Sequence, residues 1–145
     1  METPIQLSNL FSNEHFENYP FVKLPQLFED ERGFIANIAD GNLGDVAVIY
    51  SKVNSVRANH VHENDWHLSY MVSGSMLYTW RSTINADVTN QVEVTAGDLI
   101  FTPPKTPHKM TFTADSTFVA VAALSRSQEA YEQDTQRLAE GYFTN

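Results

Sequence analysis

Short runs in which hydrophobic and polar residues alternate fill most of the chain between Phe34 and Leu124. Alternation with a period of two is typical of β-strands that bury one face. Glycine, asparagine and aspartate separate these runs at close spacing, as expected for turns. The density of short strands predicts an all-β sandwich, jelly roll or barrel. The runs are DVAVIYS, HLSYMVS, SMLYTW, QVEVT, DLIFT, HKMTFT and STFVAVAAL.

The two ends of the chain differ from this β-rich middle. Residues 1–27 are polar and irregular, which predicts an N-terminal arm. After Leu124, the stretch SRSQEAYEQDTQRLAE is rich in good helix formers and predicts a short C-terminal helix from about residue 126. No repeat or linker interrupts the sequence, so we expect a single domain over residues 28–145.

Composition and charge narrow the possible functions. The chain has 145 residues, of which 42% are hydrophobic, as expected for a globular protein. A net charge of −9 with only nine Lys and Arg residues argues against nucleic-acid binding, which needs clustered basic side chains. There is no cysteine, no apolar run long enough to span a membrane and no signal-peptide pattern at the N-terminus, so we expect a cytoplasmic protein without disulfides.

Histidines are concentrated in the stretch RANHVHENDWHLSYMVSGSM, which holds three of the five in the chain. In a strand, His60 and His62 would project from the same face, because residues two apart point the same way. The polar segment ENDW predicts a chain reversal, after which His67 would begin the next strand opposite the pair. His108 follows a proline-rich turn and shares its predicted face with Met110 and Phe112, which resembles a barrel lining.

Four imidazoles that meet in this way could hold one divalent transition-metal ion, with His60, His62, His67 and His108 as ligands. Imidazole suits several ions, so ligand type does not choose among Zn, Fe, Ni or Mn. The alternative is that each histidine is a core or surface residue, since a lone histidine on a β face is usually neither a ligand nor a catalyst. A metal-bound imidazole is a poor general base. The candidates for proton transfer are therefore Tyr70, Tyr78 and Asp65, although plain packing is the alternative for Tyr78.

The spacing of these histidines resembles that of the cupin superfamily. The first cupin motif, G-x5-H-x-H-x3,4-E-x6-G, is similar to Asn54, His60, His62, His67 and Gly74, with His67 at the glutamate position and Asn54 at the first glycine position. The second, G-x5-P-x-G-x2-H-x3-N, is similar to Gly97, Pro103, Lys105, His108 and Phe112, with departures at Lys105 and Phe112. The resemblance implies a cupin double-stranded β-helix, a jelly-roll barrel, and usually a homodimer.

A second resemblance points to a substrate class. The segment FEDERGFIANI, with Asp30, Arg32 and Gly33, is similar to the Asp-x-Arg-Gly stretch of the dTDP-sugar 3,5-epimerases and 3,4-ketoisomerases. The alternative is that these three residues form only a turn. The resemblance implies a sugar or sugar-nucleotide ligand and, in ketoisomerases, HxH histidines that shuttle protons without a metal. Those enzymes typically carry glutamine where this chain has His67, which favours the metal site here.

Three functions remain open from the sequence. The first is a metal-binding isomerase or epimerase acting on a keto-sugar or related small carbohydrate. The second is a metal-dependent oxygenase of a small organic substrate. The third is a non-catalytic barrel that binds a sugar or another small molecule.

Overall fold

The computed structural model describes residues 19–82 and 85–144, which fold into two facing β-sheets and one short helix. The strands are β1 (Phe21–Val22), β2 (Gln26–Asp30), β3 (Gly33–Ala36), β4 (Asp45–Ser51), β5 (Val56–His62), β6 (His67–Ser73), β7 (Ser75–Arg81), β8 (Thr89–Thr95), β9 (Leu99–Thr102), β10 (His108–Phe112), β11 (Ser116–Ala122) and β12 (Thr135–Arg137). The helix, α1, covers Gln128–Asp134.

Two five-stranded antiparallel sheets form the body of the domain. The first has the strand order β1-β9-β6-β11-β4, and the second has the order β12-β5-β10-β7-β8. Strands β2 and β3 form a separate hairpin. Neighbours in the sheets are often distant in sequence, which is characteristic of a jelly roll. The predicted all-β jelly-roll fold with a short C-terminal helix is therefore confirmed.

The alternating pattern of the sequence accounts for the core between the sheets. In β10, His108, Met110 and Phe112 are buried, whereas the residues between them are partly exposed. Phe118 and Ala120 of β11 meet the same cluster from the opposite sheet. Because strand residues alternate between faces, each strand contributes every second side chain to this core. His108 thus lies on the barrel lining, as its neighbours in the sequence predicted.

A second apolar cluster covers the outer face of the first sheet. Leu68, Leu99 and Phe101 are buried there beneath residues from the N-terminal part of the described chain, including Val22 and Leu24. This outer face is only partly covered. Strand β4, at the sheet edge, exposes three large apolar side chains, Val46, Val48 and Tyr50. The predicted homodimer stays a prediction.

Both ends of the chain are more ordered within the described residues than the sequence suggested. Within the predicted N-terminal arm, Phe21–Val22 pairs with β9 of the first sheet; residues 1–18 lie outside the described residues. The C-terminal helix begins at Gln128, close to the expected start near residue 126, and the chain then forms β12, which pairs with β5. No helix in the described part of the chain is long and apolar enough to cross a membrane.

Candidate metal centre

The four predicted ligands converge at one end of the space between the two large sheets. His60 and His108 are register partners on the neighbouring strands β5 and β10. His62 lies two residues further along β5 and is buried with them. His67 begins β6 in the opposite sheet, where its register partner is Ala122. The fold therefore brings together residues 48 positions apart, from His60 to His108, as the sequence pattern predicted.

The distances divide these side chains into two overlapping groups. The ring centroids of His60 and His62 are 4.3 Å apart, and those of His60 and His108 are 4.8 Å apart. Each of these three histidines offers a nitrogen within 4.8 Å of the others. A second group with the same spacing contains His62, Asp65 and His67. The geometry thus gives one set of three imidazoles, those of His60, His62 and His108. His67 lies outside this set but close to one member of it, His62.

A local distortion of β5 sets the position of His60. Ala58 and Asn59 both adopt left-handed backbone conformations, with φ of 64° and 56°. The pairing of β10 with β5 shifts register at this point, and the carbonyl of Asn59 instead accepts a hydrogen bond from the amide of Leu138, at 3.0 Å. Left-handed conformations are unfavourable for residues with a Cβ, so the surrounding structure must hold this bulge in place.

Each histidine of the set of three is held through its outer nitrogen. Nδ1 of His108 lies 2.9 Å from the carbonyl oxygen of Thr106. A carbonyl only accepts, so this Nδ1 carries the proton and Nε2 carries the lone pair. Nδ1 of His60 lies 3.3 Å from the hydroxyl of Tyr131, and Nδ1 of His62 lies 3.1 Å from the hydroxyl of Thr135. Such contacts orient metal-ligating histidines in known sites.

The inner nitrogens of this set fit a metal ion. Nε2 of His60 and Nε2 of His62 are buried and have no hydrogen-bond partner among the described residues. A buried polar atom without a partner is costly. Two such atoms side by side, each on a ring whose other nitrogen is already bonded, form the arrangement that a divalent cation satisfies. The residues therefore fit the metal that the sequence predicted.

Burial keeps the three imidazoles neutral. It lowers the pKa of His60 to about 2, and the neighbouring His108 and His62 act in the same direction. Burial likewise lowers the pKa of His62 to about 4. It also lowers the pKa of His108 to about 3, although the hydrogen bond with Thr106 opposes this shift. Neutral imidazole is the protonation state that ligates metals, so the site is ready for a cation at neutral pH.

His67 has a different environment because it is paired with Asp65. Its Nε2 lies 2.9 Å from Oδ2 of Asp65. The other carboxylate oxygen of Asp65 accepts hydrogen bonds from the amides of Ala123 and Leu124, both at 3.0 Å. Burial alone would raise the pKa of Asp65, but these hydrogen bonds and the contact with His67 outweigh it and lower the pKa. Asp65 is therefore an ionised group that orients His67, and is a weak candidate for a general base itself.

A cavity of about 120 Å³ opens beside the histidines. His60, His67 and His108 line it, together with Ser69 and Tyr131. Two arginines, Arg57 and Arg126, also face it, and the rest of its wall is largely apolar. The cavity gives a small molecule access to the histidines.

The structure places the two tyrosines predicted for proton transfer away from this cavity. Tyr70 lies three residues after His67, and the alternation of β6 therefore turns it to the outer face, where it packs on the second apolar cluster. Tyr78 is fully buried in the core between the sheets, and its hydroxyl lies 2.8 Å from Oγ1 of Thr102. Neither residue is among those that line the cavity. For Tyr78, the packing alternative matches its position.

Sequence reasoning missed the C-terminal residues at the site. Tyr131 lies in the stretch for which the sequence predicts only a short helix, but its hydroxyl contacts His60 and its side chain lines the cavity. The carboxylate of Asp134 accepts hydrogen bonds from the amides of Asn64 and Asp65, at 2.9 and 3.0 Å. These contacts join α1 to the turn between the histidine strands. The good helix formers of this stretch predict a helix but do not indicate these contacts.

The departures from the motif glycines are explained by the backbone. Asn54 and Lys105, which stand where the motifs have glycine, adopt φ of 69° and 63°. Both therefore keep the left-handed conformation that the glycine position requires. In the other motif segment, Asp30 accepts a hydrogen bond from the amide of Arg32, at 2.9 Å, in the turn between β2 and β3. Asp30 and Arg32 do not line the histidine cavity, so the turn alternative accounts for their contacts.

Comparison with known proteins identifies the family. The sequence model of the cupin domain matches residues 48–124, which include His60, His62, His67 and His108. The chain belongs to the cupin family. A search of curated protein sequences gave no match.

Solved structures similar to this cupin include several sugar-modifying enzymes. A 3,4-ketoisomerase from Helicobacter canadensis is 15% identical with a TM-score of 0.67, over 87% of this cupin and 95% of that chain. A sugar 3,4-ketoisomerase from Thermoanaerobacterium thermosaccharolyticum, solved with TDP, is 16% identical with a TM-score of 0.64, over 87% and 93%. The dTDP-4-dehydrorhamnose 3,5-epimerase from Sulfolobus tokodaii is 15% identical with a TM-score of 0.63, over 85% and 84%. At these identities the likeness shows a shared fold.

Proposed function

We propose that this cupin binds one divalent transition-metal ion through His60, His62 and His108 and isomerises a small keto-sugar. The observation that carries the proposal is the pair of buried Nε2 atoms of His60 and His62, which have no partner among the described residues. His108 completes the set, because its protonated Nδ1 leaves the Nε2 lone pair for the ion. A bound ion would supply polarisation of a carbonyl oxygen.

Three protein ligands leave room for a substrate in the coordination shell. A metal-bound imidazole is a poor general base, but in this arrangement His67 does not bind the ion. It can therefore accept a proton. The ionised carboxylate of Asp65 accepts a hydrogen bond from Nε2 of His67, at 2.9 Å, so the proton of the ring lies on Nε2. The lone pair of His67 then lies on Nδ1. The two ring nitrogens exchange the roles they have in a catalytic triad, where the aspartate bonds Nδ1 and the lone pair lies on Nε2. His67 lines the cavity, so it is the proposed general base.

Tyr131 is the proposed proton donor to the carbonyl oxygen of the substrate. Tyr131 lines the cavity, and burial raises its pKa above the ordinary value of 10.0. It therefore stays protonated at neutral pH. In the proposed isomerisation His67 takes the proton from the carbon next to the carbonyl, and Tyr131 donates a proton to the carbonyl oxygen. His67 then returns the proton to the former carbonyl carbon, while the hydroxyl on the neighbouring carbon gives its proton to Tyr131 and becomes the new carbonyl.

The comparisons support the reaction class at the level of the fold. The similar structures include two 3,4-ketoisomerases, one of which is described as a sugar enzyme, and a dTDP-4-dehydrorhamnose 3,5-epimerase. Both reaction types move a proton on a carbon beside a carbonyl. The same chemistry requires a base and an acid that border one small cavity, and His67 and Tyr131 both line the cavity here.

Exchange of substrate protons with solvent tests the proposal. The metal-loaded protein is incubated in D₂O with a panel of free and nucleotide-linked keto-sugars, and loss of the proton beside the carbonyl is followed by NMR. We expect exchange with at least one sugar, at the same rate in air and under argon. His67→Gln should abolish exchange and keep the metal, whereas His62→Gln should lose both. Exchange that persists in His67→Gln, or turnover that needs oxygen, would overturn the proposal.

A further inference from the structure

The cavity beside the histidines has an unusual charge for this protein. The chain carries nine Lys and Arg against eighteen Asp and Glu, yet two of those nine, Arg57 and Arg126, line this one cavity. No acidic side chain is among the residues that line it. An anion is therefore favoured at this place on an otherwise acidic protein.

Contacts within the protein fix both arginines and leave donors for a ligand. Nε of Arg57 donates to Oγ of Ser51 at 2.6 Å, and Nη2 donates to the carbonyl of Tyr50 at 2.8 Å. Nε of Arg126 lies 2.8 Å from a carboxylate oxygen of Asp45. Within the described residues, neither terminal nitrogen of Arg126 has an acceptor. Its side chain is 31% exposed and lines the cavity, so a ligand in the cavity can approach it.

The size of the cavity limits what that anion is attached to. A dry cavity of about 150 Å³ holds a molecule of benzene, so the 120 Å³ here accepts a fragment of about five or six non-hydrogen atoms. A carbonyl carbon, its neighbour and one carboxylate have this size. A nucleoside diphosphate is several times larger, so most of it would lie outside the cavity. The planar fork of an arginine matches a carboxylate through two parallel hydrogen bonds.

We infer that the cavity binds a small keto acid, whose carboxylate is held by Arg126 and Arg57 while its carbonyl lies beside the histidines. The inference rests on the proposed isomerase function and narrows its substrate from keto-sugars in general to those that carry a carboxylate. Arg126 supplies the terminal fork. Arg57, which has no carboxylate partner among the described residues, supplies the uncompensated positive charge.

Titration calorimetry with three related three-carbon compounds and one nucleotide tests the inference. They are hydroxypyruvate, the neutral analogue dihydroxyacetone, dihydroxyacetone phosphate and dTDP. We expect hydroxypyruvate to bind at least about tenfold more tightly than dihydroxyacetone, as a charge-assisted contact implies. The titrations are repeated on chelator-treated protein, because a keto acid also coordinates metals directly. The preference should persist there. Equal binding of the neutral analogue, or tighter binding of dihydroxyacetone phosphate or dTDP, would overturn the inference.

Variants assign the effect to the arginine. Arg126→Gln should weaken hydroxypyruvate binding at least about tenfold and leave dihydroxyacetone unaffected. Arg126→Lys keeps the ion pair with Asp45 but lacks the fork, and should fall between Arg126→Gln and the parent. The matched control is Arg32→Gln, which removes an exposed arginine outside the cavity and should bind as the parent does. Parent-like binding by Arg126→Gln would contradict the inference.

The outcomes also separate this inference from the isomerase proposal. The protein could bind hydroxypyruvate through Arg126 and yet hold no metal and catalyse no proton exchange. This result would support the carboxylate site and reject the isomerase. Proton exchange on dihydroxyacetone, with no gain from the carboxylate, would retain the isomerase and reject the carboxylate site.

Discussion

Acidification should destabilise the metal-free protein strongly, because three neutral histidines are buried together. In the folded protein the pKa values of His60, His62 and His108 are about 2, 4 and 3. In the unfolded chain each histidine titrates near 6.5. Below about pH 6.5 the unfolded chain therefore binds protons that the folded protein excludes, and the free energy of unfolding falls with pH. The loss begins near 6.5 and continues until the folded pKa values are reached.

The size of this loss in the free energy of unfolding follows from the folded and unfolded pKa values. Between about pH 7.5 and about pH 5.5, one such histidine costs about 1.4 kcal/mol, because only the unfolded chain titrates in this window. The three together cost about 4 kcal/mol, a large share of the roughly 5–15 kcal/mol that stabilises a typical domain. The other groups whose pKa is shifted titrate outside this pH window. The pKa of Asp65 is lowered from 3.8 and that of Tyr131 is raised from 10.0, so neither changes in this window.

Urea unfolding of chelator-treated protein measures this loss, with the fluorescence of the buried Trp66 and Trp80 as the signal. The matched variant is His60→Gln, which keeps a polar side chain but removes one titrating group. Its stability should fall by about 1.4 kcal/mol less than that of the parent over the same pH range. A total loss below about 1 kcal/mol in the parent, or equal losses in parent and variant, would refute the burial of neutral imidazoles.

Three further predictions concern stability. Ala58→Gly should raise the free energy of unfolding by up to about 1 kcal/mol, since glycine relieves the left-handed strain at φ 64°; a loss in urea unfolding would contradict the strain. Gly74→Ala should cost roughly 3 kcal/mol or more, because its φ is +89° and a Cβ would collide with the carbonyl of Asp115; a calorimetric Tm within a few degrees of the parent would contradict this. Tyr78→Phe should cost about 1 kcal/mol through the lost bond to Thr102, with unchanged metal content; metal loss would show that Tyr78 belongs to the site.

The strands and the histidine cluster could be predicted from the sequence because both depend on local periodicity. Alternation fixes which face a residue occupies, so the barrel-lining position of His108 follows from Met110 and Phe112. The same rule places Tyr70 on the face opposite His67, since the two are three residues apart.

The rest of the site depends on long-range pairing that no local pattern encodes. Tyr131 contacts His60 across 71 residues because β12 pairs with β5, and a three-residue strand after a helix has no distinctive periodicity. The bulge at Ala58 and Asn59 is equally hard to predict, because alanine gives no sign of a left-handed conformation and asparagine tolerates one without requiring it. The division of the four histidines into a set of three and a separate His67 arises from the position of Asp65, which only the folded turn reveals.

The metal content of protein purified without an affinity tag tests the central claim most directly. After growth in medium supplemented with transition metals, elemental analysis should give close to one divalent ion per chain. The ratio should fall sharply in His60→Gln, His62→Gln and His108→Gln, and stay unchanged in His67→Gln. A ratio near zero in the parent, or equal dependence on all four histidines, would contradict a centre built on three imidazoles with His67 left free.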